Sequence, residues 1–208
     1  MKLFISADIE GCVGTTLASE THKETPEYRQ FAKRMTEEVR IVCQAALEAG
    51  ADQIVVKDGH GDATNIDFTA MPEGVTLIRG KSGHPYNMMF GLDETFDGVL
   101  YVGYHAPAGN GGNPISHTST GNSNQILLNG KVMSEFMLNT YTAAMMGVPA
   151  VFISGDEGIC GLAREMVPGI TTAAVKKGVG ACTINMSVAA ADRLLKEKVK
   201  EALSGDLK

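Results

Sequence analysis

Four side chains that could bind a metal ion each lie within a few residues of the end of a short apolar run: Asp8, Glu10, His60 and His105. Each run is predicted to be a buried strand of an α/β sheet. Ligands of such sheets bind beyond the carboxyl ends of the strands, so we expect these four side chains to converge. Carboxylates together with imidazoles suit zinc, whereas magnesium and calcium prefer shells made only of oxygen. The pattern therefore predicts a zinc site.

Taken singly, each of these signals has an ordinary structural explanation. An acidic pair after a strand, such as Asp8 and Glu10, is often a solvated turn. A lone His60 or His105 is more often a structural or surface histidine than a ligand. The joint occurrence of all four at three strand ends is what favours a metal site over these alternatives.

The elements that would position these residues follow from hydrophobic periodicity. Residues 3–7 form an apolar run that ends in acid and glycine, and residues 54–56 form a second run that ends at Asp58-Gly59-His60. Between them, apolar residues recur at helical spacing from about 28 to 49, with Gly50 as the C-terminal cap. This strand, helix, strand unit predicts two parallel neighbouring strands whose polar ends share one sheet edge.

The rest of the chain continues the alternation of strands and helices. Residues 106–124 are rich in Gly, Asn, Ser and Thr, which predicts a long functional loop that contains His117. Asn129-Gly130 predicts a hairpin turn between residues 125–128 and 131–133, and Glu135 then opens a helix. Further strands are predicted at 75–78, 99–102, 150–153 and 170–175, and further helices near 134–146, 157–166 and 187–203. The expected fold class is a three-layer α/β domain with a mostly parallel or mixed sheet, helices on both faces and the metal site at the carboxyl ends of the strands.

The overall composition and charge of the chain argue against several classes of function. With 208 residues and 44% hydrophobic content, the chain can bury one sizeable core, so a single domain over residues 1–208 is expected. The net charge of −6, with no basic block, argues against nucleic-acid and membrane partners. The four cysteines have no C-x-x-C spacing, which predicts neither disulfides nor a thiolate metal site. We expect a cytoplasmic protein that binds no organic cofactor.

In several blocks the sequence resembles the zinc-dependent D-aminopeptidase family, the M55 peptidases. The matching blocks, in order, are Ser6-Ala7-Asp8-Ile9-Glu10-Gly11, Asp58-Gly59-His60, Gly91-Leu92-Asp93-Glu94-Thr95-Phe96, Gly103-Tyr104-His105-Ala106, Ser116-His117-Thr118 and Glu135. Six blocks in order are far more specific than any one motif, and the resemblance runs from Met1 to about Leu203.

The resemblance implies a metal site with two zinc ions per chain and a catalytic histidine. By resemblance the metal ligands are Asp8, Glu10, His60, His105 and Glu135, with Asp8 bridging both ions, and the catalytic residue is His117. Five protein ligands with one bridging, together with a bridging hydroxide, would complete two four-coordinate zinc ions. From the sequence alone, Glu135 could equally be a carboxylate that favours a helix N-terminus, and His117 could be a solvated loop residue.

The activity implied by the resemblance is hydrolysis of the N-terminal peptide bond of short peptides or amides, with a D-amino-acid preference. A metal-held water would be the nucleophile, and one zinc would polarise the scissile carbonyl. His117 would stabilise the oxyanion or protonate the leaving amine, since an imidazole exchanges protons near neutral pH. A homo-oligomer, such as a ring-shaped decamer, is also expected by resemblance.

Two other functions remain open at this point. One is a dinuclear amidohydrolase or phosphoesterase that acts on another substrate, because two-metal sites serve several hydrolyses. The other is a metal-binding module without turnover. Members of the family continue for several dozen residues after the helix that ends near Leu203, so the chain is expected to lack a C-terminal extension.

Overall fold

A central sheet of seven strands organises the protein in this computed structural model, which describes residues 1–205 and 207. The strands of this sheet are β1 (Lys2–Ala7), β2 (Gln53–Asp58), β3 (Val75–Ile78), β4 (Gly98–Tyr104), β7 (Ala150–Asp156), β8 (Thr171–Val179) and β9 (Cys182–Asn185). A separate hairpin contains β5 (Leu127–Leu128) and β6 (Lys131–Val132). The helices are α1 (Tyr28–Glu48), α2 (Glu135–Met145), α3 (Glu157–Met166) and α4 (Val188–Ala202).

Strand order decides which chain segments meet at the carboxyl edge. The order is β3-β2-β1-β4-β7-β8-β9, and every neighbouring pair is parallel except β8 and β9. In the register of β1, Ala7 lies beside Asp58 of β2 and Val102 of β4. The residues that follow these three strands therefore emerge side by side.

The core lies on both faces of this sheet. Side chains of successive strand residues point to opposite faces, so Leu3 and Ile5 of β1 pack with α1 and α4, whereas Phe4 packs with α2 and α3. All three side chains are fully buried. A strand that is buried on both faces reads as a continuous apolar run, which is why β1 could be recognised in the sequence.

The predicted α/β class with helices on both faces is confirmed, and the differences are local. Strands β4, β7 and β8 continue beyond the predicted apolar runs, and β7 and β8 do so through polar residues that are nevertheless buried, namely Ser154, Asp156 and Lys176. Strand β9, an exposed edge strand, was not predicted. Among the described residues, no helix combines the length and the apolar character needed to cross a membrane.

Candidate metal centre

The loop after β1 is held against the end of β4 by backbone contacts. The Asp8 N–H donates to the Val102 carbonyl at 2.8 Å, and the Gly11 N–H donates to the Gly103 carbonyl at 2.8 Å. A Cβ at Gly11 would collide with the carbonyl of Tyr104, so glycine is required for this close approach. These contacts place the carboxylates of Asp8 and Glu10 beside the residues that follow β4.

Two imidazoles face these carboxylates, each oriented by a backbone carbonyl. The Nε2–H of His60 donates to the Thr21 carbonyl at 2.9 Å, and the Nδ1–H of His105 donates to the Ala106 carbonyl at 2.9 Å. The other ring nitrogen of each histidine faces the carboxylates and would offer its lone pair to a metal ion bound between them. Metal-binding histidines are oriented in the same way, by a hydrogen bond from the second ring nitrogen.

The two carboxylate oxygens of Asp8 face different imidazoles. Oδ1 lies 3.3 Å from His60 Nδ1, and Oδ2 lies 3.6 Å from His105 Nε2. Glu10 Oε2 lies 3.0 Å from the same His60 nitrogen. Asp8 thus stands between the two histidines, with one oxygen available to each side.

Glu135 reaches the site from the first turn of α2. Ser134 caps this helix by accepting from the Met137 N–H, which fixes the direction of the turn that carries Glu135. The Oε1 atom accepts from the Ser119 N–H at 2.7 Å, and Oε2 lies 3.8 Å from His105 Nε2. The carboxylate is mostly buried and faces the centre instead of acting only as a helix-terminal charge.

His117 lies at the open side of the cluster. Its Nδ1–H donates to the Ile115 carbonyl at 3.0 Å, and its Nε2 lies 3.7 Å from Glu135 Oε1. The ring stacks on His105 with centroids 4.4 Å apart and an interplanar angle of 22°. Its side chain is 24% exposed whereas that of His105 is 1% exposed, so of these two stacked rings His117 is the one that an incoming molecule can contact.

The donor atoms fit zinc. Nitrogen and oxygen ligands lie about 2.0–2.2 Å from a tetrahedral zinc, which places them about 3.3–3.5 Å from one another, and the pairs above are separated by 3.0 to 3.8 Å. Glu10 Oε2 and His105 Nε2 are buried without a hydrogen-bond partner among the described residues. Buried polar atoms are normally satisfied, so these two donors indicate a bound cation.

The electrostatics of the cluster point to the same conclusion. Burial and the neighbouring Glu10 raise the pKa of Asp8. Burial lowers the pKa of His60, but Glu10 and Asp8 outweigh it and raise that pKa to about 11. Likewise, Glu135 and the other carboxylates outweigh burial and raise the pKa of His105 to about 9. The clustered carboxylates thus favour positive charge between them, and a metal ion supplies it.

A cavity of about 430 Å³ opens onto this cluster. Its wall includes all the predicted site residues except His105, which is buried behind them. His22 and Lys81 also line it, although the sequence offered no reason to connect either residue with the site. A cavity of this size suits a small-molecule or short-peptide ligand.

Comparison with known proteins identifies the family. The family model described as "Peptidase_M55: D-aminopeptidase" matches residues 1–208. The chain belongs to the M55 peptidase family. A D-aminopeptidase of Bacillus subtilis (strain 168) is 33% identical over 204 residues, which is 98% of this chain and 74% of the relative. The predicted metallo-aminopeptidase, a hydrolase of peptide bonds, is confirmed.

A solved structure of the family also matches this M55 chain. It is described as "Zn-dependent D-aminopeptidase DppA from Bacillus subtilis, a self-compartmentalizing protease", with a TM-score of 0.93 and 32% identity over 98% of this chain and 74% of that chain. The predicted fold and the predicted family are therefore both confirmed, and zinc is supported as the metal of this M55 enzyme. The individual residue assignments stay predictions.

Sequence reasoning missed three buried residues that support the M55 site from behind. Asn113 donates to the Glu10 carbonyl at 3.0 Å and to Asp156 Oδ2 at 3.1 Å. Lys176 of β8 also donates to the Glu10 carbonyl. Asp156 Oδ2 accepts from the Ala106 N–H at 2.9 Å, next to His105. Lys176 is followed by a second lysine, Lys177, in β8, and Asn113 lies among many similar loop residues, so neither carried a distinguishing signal in the sequence.

Proposed function

We propose that the protein is a dinuclear zinc aminopeptidase that removes the N-terminal residue of short peptides or amides, with a preference for D-amino acids. The observation that carries the proposal is the position of Asp8, whose two oxygens each face a different imidazole at 3.3 Å and 3.6 Å. A carboxylate shared in this way is the arrangement expected of a bridging ligand between two metal ions.

The other donors divide between the two sides of Asp8. His60 and Glu10 lie together on one side, 3.0 Å apart. His105 and Glu135 lie together on the other, 3.8 Å apart. Each side thus offers an imidazole, a carboxylate and one oxygen of Asp8. The three carboxylates offset most of the charge of two zinc ions, which makes the set chemically consistent.

Zinc bound here would supply a Lewis acid for the scissile carbonyl and would make a water molecule nucleophilic at neutral pH. The remaining work falls to residues of the chain. His117, on the open side of the cluster, has Nε2 available because Nδ1 is committed to the Ile115 carbonyl. We propose that His117 in its protonated form, which carries a proton on Nε2 as well, gives that proton to the leaving amine, or donates to the oxyanion, as the peptide bond breaks.

The preference for D-amino acids is supported by the family and by the relative's name, since both are described as D-aminopeptidases. It is tested with a matched pair of chromogenic substrates, D-alanyl and L-alanyl p-nitroanilide, and with p-nitrophenyl phosphate. We expect faster release from the D-alanyl compound. Turnover of the phosphate ester alone would contradict the aminopeptidase and favour a phosphoesterase.

Metal analysis of the same sample completes the test. We expect close to two zinc ions per chain after exhaustive dialysis. Two zinc ions with no hydrolysis of any alanyl amide, in folded protein, would favour a metal-binding module without turnover. Protein that contains no zinc and takes up none on addition would refute the metal centre itself.

We also propose that the protein assembles into a homo-oligomer, with a ring-shaped decamer as its form. The relative of known structure is described as self-compartmentalizing. On α2, three exposed apolar side chains, Leu138, Tyr141 and Met145, follow one another at helical spacing, and an exposed apolar stripe is typical of an interface. Light scattering coupled to size exclusion tests this proposal, and a mass of 22.0 kDa, that of one chain, would contradict it.

A further inference from the structure

The cavity wall contains one cationic side chain whose role the metal centre does not explain. Lys81 is the one lysine or arginine among the residues that line the cavity. It is exposed, and it forms no ion pair with any carboxylate in the described part of the chain. Its ammonium group is therefore available to a ligand in the cavity.

Lys81 is held beside the strand that leads to His60. It follows β3 by three residues, and the preceding Gly80 accepts from the buried Lys57 Nζ at 3.0 Å. The same ammonium of Lys57 donates to the Asp58 carbonyl at 2.6 Å. The Gly80 N–H donates to the Ala63 carbonyl at 2.6 Å. These bonds fix the base of the segment that carries Lys81 relative to the metal centre.

Sheet order sets the distance between Lys81 and the metal ligands. The strands run β3-β2-β1, and Lys81 follows β3 whereas Asp8 follows β1. Neighbouring strands are about 4.8 Å apart, so the ends of β3 and β1 are separated by about 10 Å. An extended peptide spans at most about 3.3–3.6 Å per residue. The four-carbon side chain of Lys81 covers about half of this distance, and one or two residues beyond the scissile bond cover the rest.

We propose that Lys81 binds the free C-terminal carboxylate of the substrate. This inference rests on the proposed aminopeptidase function and adds the recognition of the second end of the peptide. The bond to be cut lies at the metal centre, and the carboxylate pairs with the Lys81 ammonium at the β3 edge. The enzyme therefore favours free-acid dipeptides and tripeptides over peptide amides and over longer chains.

The test compares D-alanyl-D-alanine with D-alanyl-D-alaninamide, which differ only in the terminal charge. Consumption of each is measured by chromatography for the zinc-loaded protein and for Lys81→Met and Lys81→Glu. We expect the wild type to favour the acid by about fivefold in kcat/KM, the effect of one partly exposed ion pair. Lys81→Met should bring the acid-to-amide ratio close to one, and Lys81→Glu should bring it below one.

Lys131→Met is the matched control. Lys131 is also exposed and forms no ion pair in the described part of the chain, but it lies on β6 and does not line the cavity. Its substitution should leave the acid-to-amide ratio at the wild-type value. A further arm compares D-alanine oligomers of two, three and six residues, for which kcat/KM should fall at six.

The outcomes separate this inference from the proposed function. In one outcome, the wild type cleaves both dipeptides while Lys81→Met leaves the acid-to-amide ratio of kcat/KM unchanged. That result would overturn the role of Lys81 and leave the proposed aminopeptidase intact. An equal fall of the acid-to-amide ratio in Lys131→Met would also overturn the role of Lys81. No cleavage of either dipeptide by zinc-loaded wild-type protein would instead contradict the proposed aminopeptidase.

Discussion

The side-chain amide of Asn113 donates to the backbone carbonyl of Glu10 at 3.0 Å, although 103 positions separate the two residues. The same residue begins the turn that leads to His117, because its side-chain oxygen accepts from the Ile115 N–H and its carbonyl accepts from Ser116. Asn113 therefore joins the loop of the acidic pair to the loop of the exposed histidine. Its side chain is buried, so these bonds are shielded from water.

This link predicts that Asn113→Ala impairs both zinc binding and turnover. Loss of the amide removes one of the donors that hold the Glu10 carbonyl and frees the turn before His117. We expect zinc affinity or kcat to fall by about 10–100-fold, which is typical of residues that orient metal ligands. Zinc affinity is measured by competition with a chromophoric chelator, and kcat with a D-alanyl amide.

Asn122→Ala is the control for this prediction, because Asn122 lies in the same loop but is exposed and its side chain forms no hydrogen bond among the described residues. It should behave as the wild type. Unchanged zinc affinity and unchanged kcat in Asn113→Ala would show that the link is not needed for the site.

Because Asp8 lies between the two halves of the site, substitution of Asp8 should reduce the zinc content more than substitution of Glu10 or Glu135. Asp8→Asn should lose both ions, because each side of the site loses a donor. Glu10→Gln and Glu135→Gln should each keep about one ion per chain, because each removes a donor from one side only. Zinc is counted by mass spectrometry after dialysis, with Asp62→Asn as an exposed control that keeps two. Two ions retained in Asp8→Asn would exclude the bridge.

The exposed position of His117 predicts a loss of rate without loss of metal. His117→Ala should keep two zinc ions per chain while kcat falls by about 10²–10⁴-fold, the usual contribution of a proton-transferring side chain. His84→Ala, a change at an exposed histidine outside the cavity wall, is the control. Because His117 Nε2 also lies 3.7 Å from Glu135 Oε1, loss of one zinc in His117→Ala would show instead that it is a ligand.

Because several carboxylates lie close together at the site, we predict that removal of the metal lowers the stability of the folded protein. Glu10 and burial raise the pKa of Asp8, which means that the charged form of Asp8 is unfavourable in the folded chain without a cation. Zinc binds the folded chain, and at a free concentration 1,000 times its dissociation constant it adds about 4 kcal/mol to the free energy of unfolding. Treatment with a chelator should lower Tm, and zinc should restore it. An unchanged Tm would contradict a buried site.

Much of this architecture could be predicted because its signals are local. Apolar runs at residues 3–5 and 54–56 precede Asp8 and His60, so the strands and their polar ends were visible in the sequence. Parallel pairing then requires the ends to be neighbours. The roles of Glu135 and His117 depended on the resemblance to a family, because a carboxylate in a first helical turn and a histidine in a loop are common without any metal.

The supporting residues could not be predicted because their signals depend on tertiary packing. Lys176 donates to the carbonyls of Glu10 and Thr15, which are more than 160 positions away in the chain. Nothing in its local sequence specifies these partners. Lys81 presented the same difficulty: an exposed lysine after a strand is ordinary until the fold places it on the wall of the same cavity as the predicted metal ligands.

Close backbone packing at the end of β1 leads to a final prediction, on stability. A Cβ at Gly11 would collide with the Tyr104 carbonyl, and neither segment can retreat because the Gly11 N–H is bonded to the Gly103 carbonyl at 2.8 Å. Gly11→Ala should therefore lower the free energy of unfolding by about 3 kcal/mol.

Gly111→Ala is the control, since no atom lies within 4 Å of its Cβ position, and it should change the free energy of unfolding by about 0.5 kcal/mol at most. Urea unfolding measures both, with and without zinc. Equal stability of the two variants would show that the loop of Asp8 and Glu10 is not held tightly against β4. Close packing against β4 would then not explain the fixed positions of these two carboxylates.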